Sequence, residues 1–104
     1  MNGEIKDGTI KNGIFVNNDI SNIELNSGLL LNNTIKNSDL GLSTATTPLF
    51  YSCEFNNNVM NKGIINDGTW NDGTWISGDF NGTWGGNQTE NNSVWIYGDF
   101  NGTW

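Results

Sequence analysis

The feature that most constrains this chain is an apolar residue at every fifth position. From Ile5 to Phe80 all sixteen such positions are apolar, although hydrophobic residues make up only 35% of the sequence. An α-helix repeats every 3.6 residues and a flat strand every two, so neither produces a period of five. We therefore expect a chain that coils around its own core, with the fifth-position residues, here called centres, pointing inward.

A second regularity supports inward centres. The residue two places before each centre is mostly small, as at Gly68 and Gly73, and the two large exceptions are Ile23 and Pro48. Residues i and i−2 of a strand point to the same side. A small residue there leaves room for a large centre in a close-packed interior.

A longer repeat suggests the length of one coil. Residues 76–84 (ISGDFNGTW) recur at 96–104 (IYGDFNGTW), an offset of four pentapeptides. This offset predicts four faces per coil and a square cross-section. The step from Phe80 to Trp84 is one residue short, so residues 85–92 are predicted to form an outward loop that restores the register. A milder irregularity is expected at residues 42–48, where the centre shrinks to Ala45.

Three stretches resemble a known repeat family. Residues 37–40 (NSDL), 52–55 (SCEF) and 77–80 (SGDF) are similar to the consensus of the pentapeptide-repeat family: a small residue, Asp or Asn, then Leu or Phe, then two polar positions. The resemblance covers nearly the whole chain and implies an all-β, right-handed quadrilateral β-solenoid. We expect a single domain over residues 1–104, with about five coils and the loop at 85–92.

Composition argues against several functional classes. The formal net charge is −7 with only four basic residues, which disfavours direct binding to nucleic acid. There is no histidine, and the single cysteine, Cys53, stands at an inward position without a base to activate it. We therefore expect no catalytic site, no cofactor and no metal site. No apolar run approaches the length of a membrane span, and no signal-peptide core is seen, so the expected location is the cytoplasm. The resemblance to bacteriophage proteins described below implies a virion instead.

With coils of four pentapeptides, four aspartates would stack in one outward column: Asp19, Asp39, Asp79 and Asp99. Val59 interrupts this candidate acidic face. Two interpretations stay open, a solvated acidic surface or a site for a cation or a basic partner. Columns of asparagine are interpreted as corner structure, because asparagine tolerates left-handed backbone and its amide can bond to the next coil.

The C-terminal end is the second candidate site. It is rich in bulky aromatic residues and shows no polar cap, and solenoids need covered ends. We expect this end to dock onto other protein chains, either a second copy or a virion protein. The candidate docking residues are Trp84, Trp95, Phe100 and Trp104.

Three functions remain open from the sequence. The favoured one is a structural or adhesive subunit of a larger assembly, because the Gly-x-Trp and Gly-x-Phe runs resemble repeat segments of bacteriophage virion proteins such as tail, fibre or capsid-associated components. The second is an acidic DNA mimic acting on DNA gyrase, as implied by resemblance to gyrase-protecting pentapeptide-repeat proteins. The third is a carbohydrate-binding rod that uses exposed aromatic residues such as Tyr51 or Tyr97.

Overall fold

The chain folds into a parallel β-solenoid of about five turns. The computed structural model describes residues 3–84, 94–95 and 98–101, and for residues 94–95 the backbone only. Within these ranges every regular element is a strand and none is a helix. The strands are β1 (Gly3–Ile10), β2 (Ile14–Val16), β3 (Asn18–Leu25), β4 (Leu29–Leu31), β5 (Thr34–Lys36), β6 (Asp39–Leu40), β7 (Leu49–Tyr51), β8 (Cys53–Met60), β9 (Ile64–Ile65), β10 (Gly68–Trp75), β11 (Asp79–Phe80), β12 (Thr83–Trp84), β13 (Val94–Trp95) and β14 (Asp99–Phe100). The predicted all-β solenoid is confirmed.

Strand pairing arranges the centres in three columns. Every pairing among the described strands is parallel, and each centre lies beside the centre of the next coil. The first face carries Ile5, Ile20, Ile35, Phe55, Trp70 and Trp84. The second face carries Ile10, Leu25, Leu40, Met60, Trp75 and Trp95. The third face carries Phe15, Leu30, Phe50, Ile65, Phe80 and Phe100.

These registers correct the predicted coil length. Ile5 pairs with Ile20 and Ile20 with Ile35, so the basic coil has three pentapeptides and three faces, and the predicted four of each is wrong. The offset grows to four pentapeptides only where a coil includes an insertion. One insertion lies between β6 and β7, where Ala45 is exposed and contributes no centre. The other lies between Trp84 and Trp95, where the chain takes more than two pentapeptides to advance by one face.

The 20-residue offset between residues 76–84 and 96–104 therefore corresponds to a coil of three pentapeptides together with an insertion. Phe80 pairs with Phe100 across that longer coil. The loop predicted at residues 85–92 lies outside the described residues, so its outward course stays a prediction.

Left-handed residues form two of the corners. Between the first and second faces they are Asp7, Asn22, Asn37 and Asn57, with φ from 54° to 61°. Between the third and first faces they are Asn17, Asn32 and Ser52, with φ from 56° to 59°. The expected corner role of asparagine is confirmed at these positions, and the Nδ2 of Asn57 donates to the Oδ1 of Asn37 at 2.9 Å. The columns themselves differ from a coil of four pentapeptides, which would place Asn17 and Asn37 in one column; they lie at different corners because the basic coil has three pentapeptides.

The core consists of the stacked centres. Twelve of them, from Ile20 to Phe80, have no exposed surface. Towards the C-terminal end the core becomes aromatic. The Trp70 ring stacks between Phe55 at 5.4 Å and Trp84 at 5.6 Å, and contacts Trp75 edge-on at 5.4 Å. Stacked and edge-to-face geometries of this kind contribute beyond simple burial.

Two buried asparagines link successive coils. Asn58 is 1% exposed; its Oδ1 accepts from the backbone N–H of Ser38, and its Nδ2 donates to the carbonyl of Ile35. Asn33 bonds in the same way to the N–H of Asn18 and to the carbonyl of Phe15. Each amide satisfies a donor and an acceptor that would otherwise be buried unpaired.

Candidate interaction surface

The four predicted acidic residues do not form one column. Asp79 and Asp99 are neighbours on the third face. Asp19 lies on the first face beside Glu4, and Asp39 lies on the second face beside Glu24. The predicted acidic face is therefore divided among three faces because each coil has three pentapeptides. Among the described residues no group of three or more Cys, Asp or Glu is placed to hold a metal ion.

The predicted docking end is only partly described. Trp84 is 5% exposed, so its ring belongs to the core. Phe100 is half-buried and stacks on Phe80 at 5.2 Å. Trp95 pairs with Trp75 through the backbone, and Trp104 lies outside the described residues. Docking through this end stays a prediction.

The structure reveals an apolar surface that the sequence analysis did not identify. On the third face the residues on either side of the centres point outward, and over four coils they are almost all aliphatic. We call this surface the aliphatic strip; its members are Ile14, Val16, Leu29, Leu31, Leu49, Tyr51 and Ile64. Ile14 is 71% exposed and Tyr51 is 40% exposed, while the others are half-buried.

The outward positions of the other two faces are different in character. The first face presents Glu4, Asp19, Thr34, Glu54, Thr69 and Thr83 in the equivalent column. The second face presents Thr9, Glu24, Asp39, Val59 and Thr74. Among the residues whose side chains the structure describes, only the third face is apolar over successive coils, so the strip is a local property of that face.

The strip has a sharp boundary. Its main column runs Ile14, Leu29, Leu49, Ile64 and then changes to Asp79 and Asp99, both exposed. The flanking column changes one coil earlier, from Tyr51 to the exposed Asn66, Asn81 and Asn101. The third face is thus apolar on both sides of its centres along its first three coils, apolar on one side in the fourth, and polar or acidic along the last two described coils.

The backbone beneath the strip is already satisfied. The N–H groups of Leu29, Leu49 and Ile64 donate to carbonyls of the preceding coil at 2.9 to 3.1 Å. A partner on this face therefore contacts side chains and not free backbone groups. The free energy of binding has to come from the burial of apolar surface. At its N-terminal edge the strip opens into a groove lined by Ile5, Ile14 and Phe15.

The sequence contains a signal for the strip. Three centres are flanked by apolar residues on both sides, at 14–16 (IFV), 29–31 (LLL) and 49–51 (LFY). Elsewhere the neighbours of a centre are mostly polar. The runs are separated by three and then by four pentapeptides, so a uniform coil of four pentapeptides keeps the last two on one face but moves the run at 14–16 to another and breaks the alignment.

Cys53 is a core residue. It is 2% exposed, and its Sγ lies 3.4 Å from the carbonyl oxygen of Leu30 and 3.6 Å from that of Tyr51. Burial raises the pKa of the thiol above its ordinary value, so the group is protonated at neutral pH. This is the environment of a structural cysteine and not of a nucleophile.

Comparisons with protein families, with curated proteins and with solved structures found no match for this chain. No helix long and apolar enough to cross a membrane occurs in the part of the chain that the structure describes. The surface itself therefore carries the functional argument.

Proposed function

We propose that this chain is a non-catalytic structural subunit that attaches to other protein surfaces through the aliphatic strip. The observation that carries the proposal is the unbroken column of outward aliphatic side chains on the third face over four successive coils. The largest contiguous apolar patch on a monomeric protein is often a functional one, and patches larger than about a few hundred Å² mark interaction sites. A sheet whose strands are paired from coil to coil is a suitable platform for such a contact.

Within this proposal the assembly is a bacteriophage virion, with the chain in a tail, fibre or capsid-associated position. This part rests on the resemblance of the Gly-x-Trp and Gly-x-Phe runs to virion repeat segments and on the pentapeptide-repeat pattern. The repeating, parallel architecture is compatible with it.

The two alternatives have less support. A DNA mimic needs a continuous acidic surface, whereas three carboxylate pairs here lie on three different faces. A carbohydrate-binding rod needs exposed aromatic rings, whereas Trp70 and Trp75 are fully buried. Tyr51 is exposed, but it lies within the aliphatic strip.

The test is incorporation into particles. A tagged chain is expressed during infection by the phage that encodes it, and assembled particles are separated on a density gradient. We expect the parent chain to sediment with the particles and the double variant Ile14→Thr/Tyr51→Thr to lose at least about nine-tenths of that fraction, since both side chains are exposed and their loss removes apolar contact.

The control is Val59→Thr, which makes the same kind of change at a half-buried outward position on the second face. Circular dichroism verifies that all three chains are folded. Parent chain found only in the soluble fractions would refute the virion assignment. Equal incorporation of the parent and the double variant would refute the role of the strip.

A further inference from the structure

We infer that the aliphatic strip is covered by the strip of a second copy of this chain, with the two solenoid axes antiparallel. The inference rests on the proposed function, since it names the partner of that surface. It follows from the shape of the face, from its area and from the position of its acidic boundary.

The first argument is geometric. Neighbouring coils are about 4.8 Å apart, and two sheets pack face to face at about 10 Å. The outward side chains of the strip repeat at this coil spacing, so a second copy presents rows with the same period. A twofold contact uses the same patch on both copies, and each strip then covers the other.

The second argument is area. The molecule measures 30 × 27 × 20 Å, so the whole side of one copy offers roughly 600 Å² in projection, of which the four coils of the strip occupy about two thirds. Two strips then bury on the order of 800 Å² in total, which is the size of a weak, transient interface. A second copy is therefore large enough to cover the strip completely, and the expected contact is a reversible dimer.

The third argument fixes the orientation. A parallel arrangement would bring Asp79 and Asp99 of both copies into one contact and bury four carboxylates together. Burying unpaired like charges is strongly unfavourable. In the antiparallel arrangement the acidic coils of each copy extend beyond the first coil of the other, and the carboxylates stay in water.

The antiparallel arrangement also pairs specific positions. With the twofold axis between the second and third coils of the strip, Leu29 faces Leu49 of the second copy. Ile14 then faces Ile64 of the second copy at each end. The contact is aliphatic across its whole main column and stops where the acidic residues begin.

Sedimentation equilibrium tests the dimer. Between about 1 μM and 1 mM we expect a monomer–dimer equilibrium with a dissociation constant of about 10–100 μM, typical of a small interface. Ile14→Thr/Tyr51→Thr is expected to raise this constant at least about tenfold, and Val59→Thr to change it less than about twofold. A monomer throughout the range, or a dimer unaffected by the double variant, would overturn the inference.

Cross-linking tests the orientation. An equimolar mixture of Ile14→Cys and Ile64→Cys chains is oxidised, with each variant alone and the parent chain as controls, the native Cys53 being buried. We expect a mixed disulfide from the mixture and little dimer from either variant alone, because the antiparallel contact separates identical positions by three coils, about 14 Å. Covalent dimers from each variant alone, without a mixed product, would show parallel axes and overturn the arrangement.

These results are separable from those of the particle experiment. A chain that enters particles through the strip yet stays monomeric in solution has a different partner, and only the present inference fails. A chain that dimerises through the strip but never enters particles leaves the inference standing, and the proposed virion role fails.

Discussion

Replacing Leu30 by alanine is expected to lower the free energy of unfolding by about 2–5 kcal/mol. Leu30 has no exposed surface and lies in the third column between Phe15 and Phe50, with coils above and below. Parallel strands bonded on both sides cannot collapse into the space left by the lost methyl groups, so the change leaves a cavity. Urea denaturation followed by tryptophan fluorescence measures the loss.

The matched control for this substitution is Leu42→Ala. Leu42 is 39% exposed and lies on the insertion between β6 and β7, where it replaces no centre. The same atoms are removed from a partly solvated position, so the loss is expected to stay below about 1 kcal/mol. Similar losses in the two variants would mean that the centres are not the core.

The second large effect is expected for Gly73→Ala, at about 2–4 kcal/mol. Gly73 has φ of 124°, a conformation that residues with a side chain rarely adopt. A Cβ there would also overlap the carbonyl oxygen of Asn58 in the preceding coil. The obstacle is backbone that is itself part of the ladder, so relief requires the coils to separate.

Gly8→Ala is the control for this effect. Gly8 also stands two residues before a centre of the second face, but no atom lies within 4 Å of the position of an added Cβ. Alanine there is expected to change stability by less than about 1 kcal/mol, in either direction, because it also restricts the unfolded chain. A Gly8→Ala loss as large as that of Gly73→Ala would show that the close approach between coils is not the cause.

The inward centres could be predicted from the sequence because their period is simple. Apart from Ala45 in the insertion, whether a fifth-position residue points inward depends on its position within the pentapeptide and not on the number of faces per coil. The same holds for corners such as those at Asn37 and Asn57, which adopt the left-handed conformation that asparagine tolerates. The reason offered for the small residues before the centres was incomplete. At Gly73 glycine is required by its backbone conformation and by the close approach of the neighbouring coil, in addition to the volume of the tryptophan centre.

The coil length could not be predicted in the same way. Local pattern fixes where a residue points, but the number of pentapeptides per turn is set by corner angles and by insertions. Both insertions add about one pentapeptide, which makes a three-faced coil resemble a four-faced coil in the sequence. A coil of four pentapeptides therefore predicts one acidic face that includes Asp19 and Asp39, although these residues lie on different faces.

The aliphatic strip was missed for the same reason. The sequence shows the strip only as separate apolar runs, such as LLL at 29–31. Whether these runs form one surface depends on which of them are stacked in neighbouring coils. Once Ile14, Leu29, Leu49 and Ile64 are in register, the surface is evident. An error of one pentapeptide in the coil therefore leaves the predicted core intact and changes every statement about the surface.

Backbone nuclear Overhauser contacts of Asp19 test the three-faced coil most directly. We expect contacts from Asp19 to Glu4 in one neighbouring coil and to Thr34 in the other, across a strand spacing of about 4.8 Å. We expect none to Asp39, which belongs to another face. Contacts between Asp19 and Asp39 would establish a coil of four pentapeptides at this point, and the aliphatic strip would then not exist as one surface.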